Sequence, residues 1–283
     1  MKRHPMLKYL KEEGPMGPRM PLIFCPGCGS GQVLNYTLHA VDEIIEEDKI
    51  RKEQFLFISG IGCSGRITSH YLNFDSAWTI HGRALAVATG ALLANPAFKI
   101  IVFTGDGDTG SIGGNHFIHA CRRNIDVTIL CLNNGLYGMT GGQHAPTTPI
   151  GTITTTTPYR NREAAFDLCK LAEIAGATYV ARWTTAHPRQ VIKSIMKGIR
   201  KKGTAFIEIL SQCPVHERML PVALLKRFKE STIRISKTEE SRHGKTPIGE
   251  FCDVDRKEWN ESYQEIIDQF LAVNGKTHEQ IVD

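Results

Sequence analysis

Short apolar runs, rich in β-branched and aromatic residues, recur at residues 55–59, 99–104, 127–132, 177–181 and 205–210. They show little polar alternation, and most stop at glycine, asparagine or serine. Strands buried on both faces of a parallel sheet read this way. Between the runs, apolar residues return every three or four positions. Val33, Leu34, Leu38, Val41 and Ile45 mark a helix that Ser30 can cap. Ile112, Phe117, Ile118 and Cys121 mark a second helix, and residues 163–175 and 188–199 two more. Residues 81–91 read as a helix of small side chains that can lie close against a sheet. Strand and helix alternate, so the chain is expected to be α/β, with a mostly parallel, doubly wound sheet flanked by helices.

The flanks differ from this central pattern. Residues 1–21 are charged and contain Pro5, Pro15, Pro18 and Pro21, which predicts an extended arm. Residues 22–214 carry the α/β pattern. From 215 to 283 the chain is charged and weakly periodic, a solvated tail or an extension touching a partner, with a last amphipathic segment at 259–271. Residues 145–158 are polar and broken by proline, and a loop of that length in a compact domain is usually functional or bound to a partner.

Candidate chemistry gathers where the central strands end. After strand 99–104 comes Gly105-Asp106-Gly107-Asp108, and after strand 127–132 comes Asn133-Asn134-Gly135-Leu136. Both loops fall on the carboxyl edge of the sheet, where open α/β folds bind ligands. Gly105, Gly107 and Gly110 spell G-x-G-x-x-G, the pattern of a dinucleotide loop. That reading wants an acidic residue at the end of the next strand, whereas Asp126 stands at its start. It also leaves Asp106 and Asp108 where a pyrophosphate would lie. A hard divalent cation between carboxylate and diphosphate removes the repulsion. Asp106, the Asn134 side chain and the Leu136 carbonyl offer it oxygen ligands. An NAD(P) loop and a plain turn in which aspartate caps a helix are the alternatives.

Eight cysteines without an apolar N-terminal leader point to a reduced, cytoplasmic setting and to metal or redox use of some thiols. Cys25-Pro26-Gly27-Cys28 is a tight turn able to aim two sulfurs at one group. Cys63 follows the strand at 55–59, and Cys213-Pro214 follows the strand at 205–210. The series C-x-x-C…C…C-P suits a 4Fe–4S cluster; zinc is the alternative, and a thioredoxin-like dithiol a weaker one. Cys121, Cys131 and Cys169 read as small buried apolar residues, and Cys252 falls in the tail. The net charge of +5 is scattered rather than gathered into a basic patch, which argues against nucleic acid, and no apolar run is long enough to span a membrane.

The G-D-G…N-N pair resembles the metal–diphosphate signature of thiamine-diphosphate enzymes. Joined with Cys25-Pro26-Gly27-Cys28-Gly29, Gly62-Cys63-Ser64, the stretch from Asn134 through Gln143, and Cys213-Pro214, it resembles the β subunit of 2-oxoacid:ferredoxin oxidoreductases. The resemblance runs from about Pro21 to Pro214 and is nearest the 2-oxoglutarate branch. It implies a thiamine-diphosphate-binding (PP-type) fold with Mg2+ held by Asp106, Asn134 and the Leu136 carbonyl. It implies a coenzyme flanked by Ile61, Gly62, Cys63, Ser64, His81, Gly82, Gly105, Gly107, Tyr137 and Gly138, and one 4Fe–4S cluster on Cys25, Cys28, Cys63 and Cys213.

The implied activity is the oxidative decarboxylation of 2-oxoglutarate with coenzyme A to succinyl-CoA, or its reverse, with electrons passing to ferredoxin. A partner α subunit, alone or fused with γ, would supply the glutamate that activates the coenzyme, in an αβ heterodimer or its dimer. His81, expected at a helix start, faces an anion there or simply caps the helix. Arg66, three residues after Cys63, is a candidate for the substrate carboxylate or for an ordinary ion pair. Gly141 stands where some relatives carry a basic residue, which weakens the contact expected for a distal carboxylate. Pyruvate or branched-chain oxidoreductases, a thiamine decarboxylase without electron transfer, and a zinc-stabilised assembly subunit are the competing readings.

Overall fold

The computed structural model describes residues 3–12, 21–236 and 244–274. The expected arm therefore lies partly outside the described residues, as does the charged run at 237–243. In chain order the elements are α1 (Pro5–Tyr9), α2 (Gly29–Asp48), β1 (Phe55–Ser59), β2 (Asp75–Trp78), α3 (Ala84–Ala94), β3 (Lys99–Gly105), α4 (Gly114–Arg123) and β4 (Val127–Asn133). Then come the short strands β5 (Leu136–Tyr137) and β6 (Gln143–His144), α5 (Leu168–Ala175), β7 (Tyr179–Thr184), α6 (Pro188–Arg200) and β8 (Ala205–Leu210). The last elements are α7 (Pro214–Glu217), α8 (Pro221–Ser231), β9 (Thr232–Arg234), β10 (Thr246–Asp253) and α9 (Trp259–Asn274).

The main sheet has the order β2-β1-β3-β4-β8-β7-β10-β9, parallel throughout except where β10 runs antiparallel to β7. Successive strand residues face opposite sides, so the sheet has two cores. Ile101 and Phe103 of β3 pack with α2 and α6 on one face, and Ile100 and Val102 with α3, α4 and α5 on the other. From β1 the chain crosses to β2 on one side and returns to β3 on the other, which opens a crevice at the carboxyl ends of β1 and β3.

Several local expectations change in three dimensions. Ser30 does not cap α2: Cys28 holds the N-cap position without a side-chain bond, and the Gly29 N–H is taken by the Gln212 carbonyl at 3.2 Å. The helix expected over 163–175 begins at Leu168. Asp167 caps it by accepting from the Lys170 N–H, and the Phe166 N–H bonds Pro146 instead of entering a helix. The helix expected from His81 begins at Ala84, because Gly82 takes φ +71° and turns the chain first. His81 thus precedes the helix rather than starting it.

The segment after 214 is not merely a solvated tail. Its β10 adds to the edge of β7, burying Ile248, and the Asn124 side chain donates to the Arg256 and Lys257 carbonyls just before α9. Among the described residues no helix is long and apolar enough to cross a membrane.

Candidate functional site

The crevice deepens into a cavity walled by the ends of four strands. Ile61, Gly62, Cys63 and Ser64 follow β1, and Gly105, Asp106, Gly107 and Asp108 close β3. Asn134, Leu136, Tyr137, Gly138, Met139 and Thr140 follow β4, Ser211 and Gln212 follow β8, and Cys28 and His81 complete the wall. Residues from the C-x-x-C turn and from the loops after β1, β3, β4 and β8 meet here, although the first and last are more than a hundred positions apart in sequence. The cavity encloses about 80 Å3, well below the roughly 300–1,000 Å3 of a complete small-molecule site. It has room for one end of a coenzyme.

Asp106 is buried, and burial pushes its carboxyl up to about 6. The Thr147 hydroxyl donates to it, and backbone N–H groups of Asp106 and Asn134 partly offset the desolvation. Among the described residues no cationic side chain pairs with it. A buried carboxylate beside an amide oxygen and a backbone carbonyl, with no protein cation, is the donor set a hard divalent ion takes. The site therefore fits Mg2+ in its residues.

The loop carrying Asn134 is held from behind. Asn133 accepts from the Gly135 N–H at 3.0 Å and donates to Glu208 at 2.7 Å, and its Oδ1 lies 3.1 Å from the Thr147 hydroxyl oxygen, whose one proton goes to Asp106. Glu208 is buried and balanced by the Arg182 guanidinium, which also reaches Asp167. A buried carboxylate needs such a partner to remain charged. This chain of bonds sets the angle at which Asn134 and Leu136 meet the cavity.

Asp108 and Asp106 have different tasks. Asp108 turns toward the β1 side, where it accepts from His81 Nδ1, from the Gly82 N–H at 2.6 Å and from the Thr104 hydroxyl at 3.0 Å. With Nδ1 so engaged, His81 keeps Nε2 available to the cavity it lines. A Cβ on Gly107 would stand 2.4 Å from the Tyr137 ring, so only glycine lets the two loops meet, and the Tyr137 hydroxyl then donates to the Gly107 carbonyl at 3.2 Å.

The four expected cysteines are drawn to the rim. Burial pushes the Cys63 thiol up to about 11, and Cys28, Cys213 and Cys25 each add to the shift by proximity. The Cys213 sulfur is 3.7 Å from where a Cβ of Gly138 would stand, so it lies against the loop bearing Asn134. Among the described residues no three His, Cys, Asp or Glu side chains converge tightly enough for a single ion. Cys121, Cys131 and Cys169 are buried, and burial raises their thiols, as expected of inert apolar cysteines. Cys252 lies on β10.

Arg66 does not line the cavity. It precedes a π-helical turn over Ile67–Tyr71, and its charge favours ionisation of Cys63. The sequence reading missed Thr147, Asp108's separate task, and Gln212. Gln212 donates to the Gly27 carbonyl at 2.9 Å and accepts from Thr185 at 2.6 Å, which ties the C-x-x-C turn to β8. Its place beside Cys213 was the one available signal.

Comparison with known proteins agrees with this geometry. Residues 60–209 match the family model described as thiamine pyrophosphate enzyme, C-terminal TPP binding domain. The chain is 50% identical to 2-oxoglutarate synthase subunit KorB of Methanocaldococcus jannaschii, over 95% of this chain and 99% of that protein. It is 49% identical to the same subunit of Archaeoglobus fulgidus, over 92% of each. Among solved structures, it superposes on 2-oxoglutarate:ferredoxin oxidoreductase from Magnetococcus marinus, with 2-oxoglutarate, coenzyme A and succinyl-CoA bound, at a TM-score of 0.84. That match has 30% identity and covers 99% of this chain and 95% of that one.

Proposed function

Because this chain belongs to the β subunits of the 2-oxoglutarate:ferredoxin oxidoreductases, we infer that its cavity binds the diphosphate of thiamine diphosphate through Mg2+, beside one 4Fe–4S cluster on Cys25, Cys28, Cys63 and Cys213. The observation that carries this reading is the shared wall. Asp106, Asn134 and Leu136 line the same cavity as Cys28 and Cys63, and Cys213 lies against Gly138. The reaction is the coenzyme A-dependent oxidative decarboxylation of 2-oxoglutarate to succinyl-CoA and CO2, or its reverse, with ferredoxin as electron partner. When bound, thiamine diphosphate supplies the carbanion chemistry and the cluster takes up electrons singly.

The residues divide the work by charge and reach. Asp106 brings the negative charge that holds the metal, while the Asn134 amide and the Leu136 carbonyl add neutral oxygens. His81, fixed by Asp108, offers Nε2 to the diphosphate together with the Gly82 turn. Gly105, Gly107, Ile61, Gly62, Ser64, Tyr137 and Gly138 form the remaining wall. In this reading the diphosphate end lies in the cavity and the rest of the coenzyme lies against the α subunit, which brings the activating glutamate. The chain without that subunit is expected to be inactive.

Iron, acid-labile sulfide and zinc content of anaerobically purified protein test this reading, with an EPR spectrum after reduction by dithionite. About four irons and four sulfides per chain, with a reduced-cluster signal, are expected. Zinc without sulfide would leave a zinc-stabilised assembly subunit instead.

A smaller effect is expected at Thr147. Thr147→Val removes the hydroxyl donor from a buried carboxylate, a loss of about 1–3 kcal/mol. Calorimetric titration with Mg2+ and thiamine diphosphate should show about 5- to 150-fold weaker binding. Unchanged affinity would mean that Thr147 does not position Asp106.

A further inference from the structure

Electrons collected at a single cluster must leave through nearby surface, and one such surface is contiguous with the cysteines. Cys25 is exposed, and the turn it begins is packed on the start of α8: a Cβ on Gly27, which has φ +76°, would stand 2.1 Å from Pro221 Cγ. On either side of Pro221, Leu220 is 77% exposed and Val222 79% exposed, and Val215 is also open. Side chains so apolar and so exposed, beside groups that carry electrons, form the centre of a contact patch.

Charge surrounds this centre. Val222, Lys226 and Lys229 fall at i, i+4 and i+7 on one face of α8. Arg218 is exposed at the end of α7, one turn before the helix. Between Pro214 and Ser231 the chain carries four cations, Arg218, Lys226, Arg227 and Lys229, against two carboxylates. Those carboxylates are already engaged: Glu217 pairs with Arg227, and Glu230 with Lys226 at 3.8 Å. Among the described residues Arg218 and Lys229 have no carboxylate partner, and Lys226, 77% exposed and only loosely paired with Glu230, still presents its charge to solvent.

We propose that this patch, Leu220 and Val222 ringed by Arg218, Lys226 and Lys229, is the docking surface for a small acidic electron-carrier protein of the ferredoxin type. The proposal rests on the cluster reading above and adds where the electron leaves the subunit. An apolar centre brings the carrier within reach of Cys25. The cationic rim steers an acidic partner and lets it go, as transient redox contacts below about 1,200 Å2 require.

The test uses the assembled enzyme and a small acidic two-cluster bacterial ferredoxin. In the triple variant Arg218→Glu, Lys226→Glu, Lys229→Glu, calorimetric affinity for that ferredoxin should weaken at least about tenfold at low ionic strength, with the difference shrinking in high salt. Reduction of methyl viologen, KM for 2-oxoglutarate and the cluster EPR signal should match the unmodified enzyme, since none of these needs the rim. Unchanged ferredoxin affinity would overturn the assignment. Loss of subunit assembly on gel filtration would also overturn it, because the patch would then belong to the α subunit. Absence of a cluster signal in the unmodified enzyme would remove the underlying reading as well, so the two failures are distinguishable.

Discussion

Asp106→Ala is expected to abolish binding of thiamine diphosphate while leaving the visible absorbance of the cluster intact. Asp106 is the one anionic ligand in the proposed metal set, and it is buried between loops that Gly107 and Tyr137 pin together. Breaking a buried charge pair from one side costs about 3–5 kcal/mol, which corresponds to a loss of affinity of about a thousandfold. Asp106→Asn keeps the shape and removes the charge, so it separates loss of the ligand from loss of the fold. Affinity retained in both variants would end the Mg2+–diphosphate assignment.

The same carboxyl makes binding depend on pH. Its folded value of about 6 lies above the 3.8 of an ordinary aspartate, so without metal the folded chain bears a charge-burial penalty above about pH 6. That penalty fades as pH falls and the carboxyl takes up its proton. Metal binding must expel the proton, so affinity for Mg2+ and thiamine diphosphate should drop about tenfold per pH unit below about 6. Calorimetry from pH 5 to 8 reads this directly. A flat profile would mean that Asp106 is not the titrating ligand.

The second large effect is expected at Cys213. Cys213→Ser should lose most of the iron, the reduced EPR signal and electron transfer to ferredoxin, yet still bind thiamine diphosphate. The thiol is half-buried beside Cys28 and Cys25; burial raises it above the ordinary thiol range, and the His216 backbone N–H only partly offsets this, so a bound iron would have to hold it ionised. Cys121→Ser is the control. That thiol is fully enclosed between helices, burial pushes it up to about 12, and it should leave iron content unchanged. Full iron in Cys213→Ser, or equal loss in both variants, would remove Cys213 from the cluster.

Most of the candidate site could be read from the chain because its parts are local. Gly105-Asp106-Gly107-Asp108 closes β3 and the Asn133–Asn134 pair closes β4. Strand ends on one edge of a parallel sheet converge whatever lies between them. Cys63 and Cys213 were legible for the same reason, each placed just after a strand. Asp106 and Asp108 look alike in sequence. They differ in the structure because helical winding after β3 turns Asp108 toward the Gly82 N–H and leaves Asp106 in the cavity.

By itself the sequence determined the α/β alternation, the carboxyl-edge loops, the carboxylate and amide proposed to hold a metal, and the spaced thiols, since each is encoded by neighbours within one strand–loop unit. The tertiary structure alone decided which groups hold those donors in place. Thr147 meets Asp106 across 41 positions, Glu208 meets Asn133 across 75, and Gln212 meets Gly27 across 185. It alone decided that β10 joins the sheet between β7 and β9, because a half-exposed strand lacks a continuous apolar run. Such partners are chosen by the packing of the whole sheet, and no local period in the chain records that choice.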